Sequence, residues 1–408
     1  MEHEVSARQA AELAARASFG RLLSWLAWQW RDISAAEDAL SAALLKALER
    51  WPVDGVPDAP DAWLLTVAKR ELLQAARHDN MRFNPAVTIL LAADEAATEG
   101  VQIPDNRLKL MFICAHPAIE ERVRIALMLQ TVLGLQVAEI APAMLLSPTA
   151  LAQRLVRAKQ KIRNVGLRFE EPEAADLPQR MHYVLEAIYG AFGMAVDALE
   201  GAESRITDLR AEALYLCSVI RALMPNSAEA AGLMALMLFV QARAAAHGGP
   251  HDFIPLSKQD VNLWDRDAIL RADQILWEAS LLREPGPFQL EAAVQSAHCH
   301  RMFLGSTPWN AIVQLYTAIN QHFPTEGSRV AGAVALAEAG QLEQGLEQLE
   351  KMDTALTCNF QPWWVAYAHL LGMAGRIREA KLAYDTALGL TSQPSLRAHL
   401  EAKRDALK

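Results

Sequence analysis

The stretch VAEIAPAMLLSPTALAQRLVRAKQKIR, residues 137–163, decides the fold prediction for the chain around it. A short helical segment, Val137–Met144, is followed by two leucines and then by a longer segment, Ser147–Val165, which opens with Ser-Pro. Serine caps helix N-termini and proline fits the first helical turn, so a second helix is expected to begin here. The stretch therefore predicts a helix-turn-helix.

Periodicity divides the second helix into two faces. The apolar positions that would hold it against the first helix are Ile140, Leu151, Leu155 and Ile162. In a helix-turn-helix, residues early in the second helix approach base edges, and basic residues further on meet phosphates. Arginine and glutamine have the donor geometry for guanine and adenine edges. The predicted DNA-contacting residues are Ser147, Thr149, Gln153, Arg154, Arg157 and Lys161.

The charge distribution supports this prediction, although the chain as a whole is acidic. The 408 residues carry a formal net charge of −9, and 52% of them are hydrophobic. Residues 1–168 carry +1 and residues 169–408 carry −10. Within the first part, residues 146–168 contain six basic residues and no acidic one. A basic stretch alone is more often a solvated helix face, but combined with the short turn it indicates phosphate binding.

The rest of the sequence predicts an all-α protein of several domains, because alanine and leucine recur at helical spacing and alternating β-branched residues are almost absent. A helix is expected over Ser34–Trp51, with Ser34 and Glu37 as a capping box and its end before Pro52. A mixed segment follows 80, and a short helix is expected at 87–97.

The C-terminal region contains an internal repeat. Gly340 and Gly375 are 35 residues apart within similar segments, close to the 34-residue period of tetratricopeptide repeats. The repeat predicts stacked helical hairpins, with an ordinary helical bundle as the alternative.

The cysteines and the apolar runs bear on location. Four cysteines lie far apart, no secretory signal is found at the N-terminus, and the apolar run Ala230–Val240 is about half as long as a membrane span. We therefore expect a cytoplasmic protein without a membrane partner.

Three motifs resemble bacterial sigma-70-type factors of the extracytoplasmic-function class, in the group that has a tetratricopeptide-like extension. Ala35–Leu40 resembles the acidic motif of conserved region 2. Ala62–Arg70, continuing to Arg77, is similar to the helix that opens the minus-10 element. Arg107–Ala118 together with Ala152–Lys159 resembles region 4. The chain departs from the family at Arg70 and Gln74, where the family has Asn and Asp.

The resemblance implies an RNA polymerase sigma factor that directs promoter-specific initiation. Its partners would be core polymerase, through the β′ clamp helices and the β flap, promoter DNA, and a protein regulator at the extension. Region 2 would bind polymerase through Glu37 and Asp38, and region 4 would bind the minus-35 element. The residues implied at the minus-10 element are Trp63, Lys69, Arg70, Arg77 and Arg82.

The predicted domains are a region 2 domain (8–80), a linker (81–105), a region 4 helix-turn-helix domain (106–168), a helical extension (179–284) and a repeat domain (288–408). The first 170 or so residues are expected to suffice for sigma function. Two alternatives stay open: a helix-turn-helix regulator with a repeat sensor and no polymerase contact, and a scaffold whose DNA-binding half has decayed.

We expect no enzymatic activity, no cofactor and no bound metal, because nucleotide-binding and hydrolase motifs are absent from the sequence. The cluster His298-Cys299-His300 is expected to be structural, since adjacent positions on a helix point in different directions. Cys114 and His116 are likewise expected to belong to a buried packing segment.

Overall fold

A computed structural model describes residues 18–79, 105–144, 146–164, 175–197, 203–247 and 253–408. Within these ranges the regular structure consists of α-helices and short 3-10 helices, and no strand occurs. The all-α prediction is confirmed. The helix expected at 87–97 lies outside the described residues.

The chain forms two compact units, Met1–Val219 and Ile220–Lys408, and the boundary between them falls inside one helix. The predicted division into four domains and a linker stays a prediction. The helices of the first unit are α1 (18–30), α2 (Ile33–Asp54), α3 (Pro60–Asp79), α4 (Asn106–Cys114), α5 (Glu121–Thr131), α6 (Val137–Ala143), α7 (Pro148–Asn164), α8 (Leu177–Asp197) and α9 (Glu203–Leu223), which continues into the second unit.

The start and the end of α2 differ from the prediction. Asp32, not Ser34, caps the helix, since its carboxylate accepts a hydrogen bond from the Ala35 amide at 3.1 Å. The helix also passes through Pro52 and ends at Gly55, whose φ is +87°. Trp51, only 2% exposed, anchors this last turn in the core, so packing outweighs the cost of the proline.

Helices α4 and α5 form the apolar centre of the unit's second half. Seven of the nine residues of α4 are buried, including Phe112 and Cys114. Burial raises the pKa of the Cys114 thiol to about 12, so the thiol stays protonated. Cys114 is buried as the sequence predicted, whereas His116, just beyond the helix, is half-buried.

Helix α8 packs against both α4 and α5. Its inner face buries Val184, Ile188 and Phe192, all at most 1% exposed. The Tyr183 hydroxyl hydrogen-bonds Glu121 of α5 at 2.9 Å, and the Arg124 guanidinium lies over the Tyr183 ring. The first compact unit therefore extends beyond residue 170, the length expected to suffice for function.

The second unit is built from paired helices. Their bounds are α10 (Ala228–Ala242), α11 (Arg266–Leu281), α12 (Pro287–Cys299), α13 (Arg301–Leu304), α14 (Trp309–His322), α15 (Glu326–Glu338), α16 (Leu342–Glu350), α17 (Thr354–Thr357), α18 (Gln361–Met373), α19 (Ile377–Gly389) and α20 (Pro394–Asp405).

The glycine repeat marks two equivalent turns. Gly340 joins α15 to α16 with φ +89°, and Gly375 joins α18 to α19 with φ +73°. Left-handed backbone of this kind favours glycine. Gly345 and Ala380, also 35 residues apart, are the small residues at which paired helices meet. Consecutive hairpins α15–α16 and α18–α19 pack side by side, as predicted from the repeat.

One stretch of the described residues, Ala228–Ala246, is long and apolar enough by composition to cross a membrane. It is longer than the apolar run seen in the sequence because a 3-10 turn follows α10. Buried positions make up 61% of its most apolar window. A buried core helix has the same length and composition, so the stretch is weak evidence for a span.

Candidate nucleic-acid interface

Helices α6 and α7 form the predicted helix-turn-helix. The Gln136 amide donates to the Glu139 carboxylate at 2.6 Å, which fixes the start of α6. The Ser147 hydroxyl accepts a hydrogen bond from the Ala150 amide at 3.2 Å and so caps α7. Only a few residues separate the end of α6 at Ala143 from this cap. The predicted serine cap is confirmed.

The inner face of α7 packs against α5 and α6. Leu151, Leu155 and Ile162 are each at most 2% exposed, and Ile140 of α6 is fully buried. The predicted inner face is therefore confirmed. Its burial fixes the rotation of α7 about its axis, and with it the side chains that face outward.

The outer face of α7 carries the predicted DNA-contacting residues. Exposed side chains are Ser147, Thr149, Gln153, Arg157 and Lys161. Arg154 is 29% exposed, and its guanidinium lies 3.9 Å from the Glu120 carboxylate. Since Gln153, Arg157 and Lys161 are four residues apart, they form one row along the helix. Residues 147–164 contain no acidic side chain, so Arg157 and Lys161 face solvent without a carboxylate on their own helix.

Two of the six basic residues in the stretch 146–168 pair with α2 instead of lying in the outward row. The Lys159 ammonium lies 2.6 and 2.7 Å from the two carboxylate oxygens of Glu37 in α2. Arg163 Nε lies 2.8 Å from Asp32 Oδ2. Both carboxylates come from the N-terminal part of the unit, more than 100 residues away. Arg168 lies outside the described residues. The basic residues of the stretch that the structure places on the outer face are therefore Arg154, Arg157 and Lys161.

Glu37 was predicted as a polymerase contact at the surface, and the structure instead holds it largely buried. Its side chain is 23% exposed and that of Lys159 is 9% exposed. Burial raises the pKa of the Glu37 carboxyl, and the Lys159 charge opposes this shift without overcoming it. Ionised Glu37 is therefore better solvated in water than in this pair.

Asp38, the neighbouring predicted contact, is exposed and begins a stripe along the outer side of α2. Ser41, Leu45 and Leu48 continue it at helical spacing, and the two leucines are 60% and 45% exposed. Adjacent exposed apolar side chains on a surface helix make this face a candidate interaction site. The two leucines were not predicted as part of this site, although their helical spacing from Asp38 is present in the sequence.

The residues implied at the minus-10 element lie on or after α3. Trp63 packs edge-on against Trp51, with ring centroids 5.5 Å apart. The Lys69 ammonium lies 4.2 Å above the Trp25 ring of α1, and Arg70 is exposed. The structure places Arg77 in α3 without describing its side chain, and Arg82 lies outside the described residues.

The side chains of the cluster His298-Cys299-His300 in the second unit point in three directions. Cys299 accepts a hydrogen bond from Arg243 at 3.1 Å, His300 contacts Asp273 at 3.1 Å, and His298 packs against the Trp309 ring. Burial, together with the charge of Arg243, lowers the pKa of His298 to about 4. Among the described residues, no group of three or more His, Cys, Asp or Glu side chains could hold a metal ion.

Three comparisons with known proteins show what this chain is similar to. A protein of Rhizobium meliloti (strain 1021), described as uncharacterized, is 32% identical over 391 residues, which are 93% of this chain and 91% of that protein. Residues 180–280 match a family of unknown function, DUF6596. This segment covers most of α8 and all of α9 and α10, and so includes helices of both units. No solved structure matches the chain.

Proposed function

This chain belongs to the same family as the Rhizobium meliloti protein, and we propose that it is a sigma factor of the extracytoplasmic-function type. It would direct core RNA polymerase to promoters, with α3 at the minus-10 element and α7 at the minus-35 element. The protein itself would carry out no covalent chemistry and would need no cofactor. We further propose a cytoplasmic location, as expected of a partner of the polymerase.

The observation that carries the proposal is the acid-free outer face of α7. A capped helix follows a short turn, its inner face is buried, and Gln153, Arg157 and Lys161 lie in one row on the other side. This is the arrangement with which a recognition helix enters the major groove. Glutamine can read base edges there, while the arginine and the lysine neutralise phosphates.

The outer side of α2 supports a protein partner in addition to DNA. Asp38, Leu45 and Leu48 combine a carboxylate with exposed apolar surface. Such a stripe suits a helical partner with basic and apolar side chains, the role that the sequence resemblance gives to the β′ clamp helices. Held on polymerase, two weak DNA contacts act at high effective concentration, so neither needs to be strong alone.

The experiment that tests this function is reconstitution. The full chain and core RNA polymerase from the same organism would be mixed with genomic DNA fragments, and the 5′ ends of run-off transcripts would be sequenced. We expect transcripts that share upstream elements and that require the added chain. A double variant, Arg154→Ala with Arg157→Ala, should lose most initiation, while Arg122→Ala, an exposed arginine on α5, should not.

The polymerase contact needs a separate variant pair. Asp38→Ala with Leu45→Ser should weaken binding to core polymerase and leave binding of the free chain to duplex DNA unchanged. Glu49→Ala, an exposed carboxylate further along α2, serves as the matched control. If the wild-type chain did not bind core polymerase, this result would contradict the sigma assignment.

The burial of Glu37 favours a second candidate function, a helix-turn-helix regulator without a polymerase contact. In such a regulator the ion pair of Glu37 with Lys159 would be a permanent part of the core. Sequence-specific DNA binding by the chain alone, without promoter-specific initiation, would support the regulator. Absence of both DNA and polymerase binding would support the scaffold.

A further inference from the structure

The connection between α10 and α11 in the second unit contains an arginine that is buried without a negative partner. Arg243, directly after α10, is 6% exposed. Its guanidinium donates to the Cys299 sulfur at 3.1 Å and to the Gln295 amide oxygen at 2.6 Å. Burial raises the pKa of the Cys299 thiol, so the thiol is neutral. No ion pair within the described residues includes Arg243. Because arginine is seldom buried unless it is paired, Arg243 is a candidate to bind an anion.

A second arginine lies close to the first. Arg301 of α13 is half-buried, and its guanidinium lies 5.0 Å from the centre of the Trp264 ring. It donates to the Gln259 carbonyl oxygen at 2.8 Å and, in the part of the chain that the structure describes, forms no ion pair either. Burial lowers the pKa of Arg301, and the charge of Arg243 lowers it further. The two positive charges are therefore near enough to repel each other, and an anion bound to both would remove this repulsion.

Backbone contacts bring the connection back onto the start of its own path. The Asp265 amide donates to the Ala242 carbonyl at 2.8 Å, so Trp264 lies beside the end of α10 and Arg243. The 3-10 turn at 261–263 contacts both the 3-10 turn at 244–246 and α13, which carries Arg301. The four side chains of this region are called the arginine cluster below: Arg243, Gln259, Trp264 and Arg301.

Three buried polar atoms of the arginine cluster have no hydrogen-bond partner among the residues that the structure describes. They are Arg243 Nε, Trp264 Nε1 and Gln259 Oε1. Trp264 is 4% exposed and Gln259 is 8% exposed. The Gln259 amide nitrogen donates to the Ile254 carbonyl at 3.4 Å, which leaves the amide oxygen as the unsatisfied atom. Since buried polar atoms are nearly always hydrogen-bonded, three such atoms around one short connection indicate a ligand that they share.

The unsatisfied atoms specify the chemistry of that ligand. Two guanidinium groups and an indole N–H are donors, and they suit the oxygens of an oxyanion. Gln259 Oε1 is an acceptor, so the ligand also has to offer a proton. Hydrogen phosphate meets both requirements, because it has negatively charged oxygens and one P–OH group. Sulfate has the same shape and a similar charge, but it has no proton to donate at neutral pH.

We propose that the arginine cluster binds a hydrogen phosphate ion. Arg243 and Arg301 neutralise its charge, the Trp264 indole N–H donates to one of its oxygens, and its P–OH group donates to Gln259 Oε1. Arg301 is the more exposed of the two arginines, so the ion enters from its side. Binding stabilises the second unit by mass action. The site does not depend on the proposed function, since none of its residues belongs to the helices assigned to DNA or to polymerase.

Nuclear magnetic resonance of the indole N–H groups tests the site directly. The full chain, labelled with nitrogen-15 in its ten tryptophans, would be titrated with sodium phosphate at neutral pH and constant ionic strength. The Trp264 signal is the one that disappears in Trp264→Phe. It should shift and saturate with a Kd below about 1 mM. Sodium sulfate should bind at least about tenfold more weakly, because Gln259 Oε1 would face an oxygen without a proton.

Substitutions separate a binding role from a structural one. Arg301→Gln should weaken phosphate binding at least about tenfold, whereas the matched control Arg271→Gln, at an exposed arginine of α11, should not change it. Arg243→Met should abolish binding and, without phosphate, leave the Tm unchanged or raise it, because it removes a buried charge that has no counter-ion. An Arg243 that only supports the fold would instead give a lower Tm. Gln259→Met should bring the affinities for phosphate and sulfate together.

The outcomes are distinct. No saturable shift of the Trp264 signal with phosphate would overturn the site, and so would a shift that Arg301→Gln and Arg243→Met both leave unchanged. Equal affinity of the wild-type chain for phosphate and sulfate would overturn hydrogen phosphate as the ligand. Circular dichroism would show whether each variant is folded, and if Arg243→Met is not, the comparison of Arg301→Gln with Arg271→Gln decides. Tighter binding of phosphate than of sulfate, lost in Arg301→Gln, supports the proposal.

Discussion

Replacement of the outward cations of α7 should change the salt dependence of DNA binding by a calculable amount. Three cations face outward, Arg154, Arg157 and Lys161, whereas Lys159 and Arg163 are paired with α2. Each phosphate contact contributes about 0.9 to the slope of log affinity against log salt. If all three contact phosphates, alanine at all three positions should lower the slope by about 2.7.

The slope translates into a large difference in affinity. Between about 50 mM and about 200 mM salt, the wild-type chain should lose about 40-fold more affinity than the triple alanine variant. Arg154→Ala alone should have the smallest effect, because Glu120 already lies 3.9 Å from its guanidinium. The folded state should be unaffected, since alanine favours helix and the replaced side chains are not in the core.

The assay is fluorescence anisotropy of a labelled 30-base-pair duplex titrated with each variant at several salt concentrations. Arg122→Ala, on the neighbouring helix α5, serves as the control and should keep the wild-type slope. A triple variant with an unchanged slope would refute the assignment of the outer face of α7 to DNA. It would leave the helix-turn-helix fold without its proposed ligand.

Three further predictions concern stability. Ile188→Ala should destabilise the first unit by about 3 kcal/mol because it leaves a cavity at the buried face of α8, whereas exposed Gln179→Ala should change it by less than about 0.5 kcal/mol, as measured by urea unfolding. Gly232→Ala should destabilise the second unit by more than about 1 kcal/mol, since its β-carbon would lie 2.5 Å from the Gln289 amide nitrogen, while Gly389→Ala meets no atom within 4 Å and should be nearly neutral. Because the pKa of His298 is about 4 in the folded protein and 6.5 as its ordinary value, the unfolded chain takes up the proton first. His298 should therefore cost about 2 kcal/mol of stability as the pH falls from about 7 to about 4.5, a loss that a neutral His298→Asn variant should not show in pH-dependent unfolding.

Local patterns in the sequence were sufficient to predict the two faces of α7. Leu151, Leu155 and Ile162 recur at helical spacing, and their burial follows from that spacing alone. The serine cap and the repeat of Gly340 and Gly375 are also local signals, each tied to a backbone conformation that few residues adopt or stabilise. In each case the information lies within one or two turns of the chain.

The ends of α2 could not be predicted in this way. Asp32 and Ser34 are both good capping residues, and Asp32, which caps the helix, also pairs with Arg163 on a distant helix. Pro52 normally ends a helix, but here the buried Trp51 side chain holds the preceding turn in place. Tertiary packing decided both ends.

The partners of Glu37 were beyond reach for the same reason. Lys159 lies 122 residues further along the chain, and nothing in either local sequence marks one as the partner of the other. The resemblance to sigma factors assigned Glu37 to a partner protein, and the charge count placed Lys159 in the basic stretch 146–168 that was expected to bind phosphates. The structure places them in contact, so the two predicted surfaces meet at this ion pair.

The contact of Glu37 with Lys159 would couple the two proposed activities, polymerase binding and DNA binding. Under the proposed function, a basic residue of polymerase that binds Glu37 would compete with Lys159, which contacts both carboxylate oxygens. If the two compete, thermodynamic linkage requires that whatever stabilises the pair of Glu37 with Lys159 weakens polymerase binding. Helix α8 packs on α5, and α5 in turn packs on α7, so the segment that begins at residue 177 contacts the helix that supports Lys159 of α7. Variants in α8 that keep the fold but shift α5 should therefore alter polymerase affinity, although the substituted residues lie outside α2 and α7.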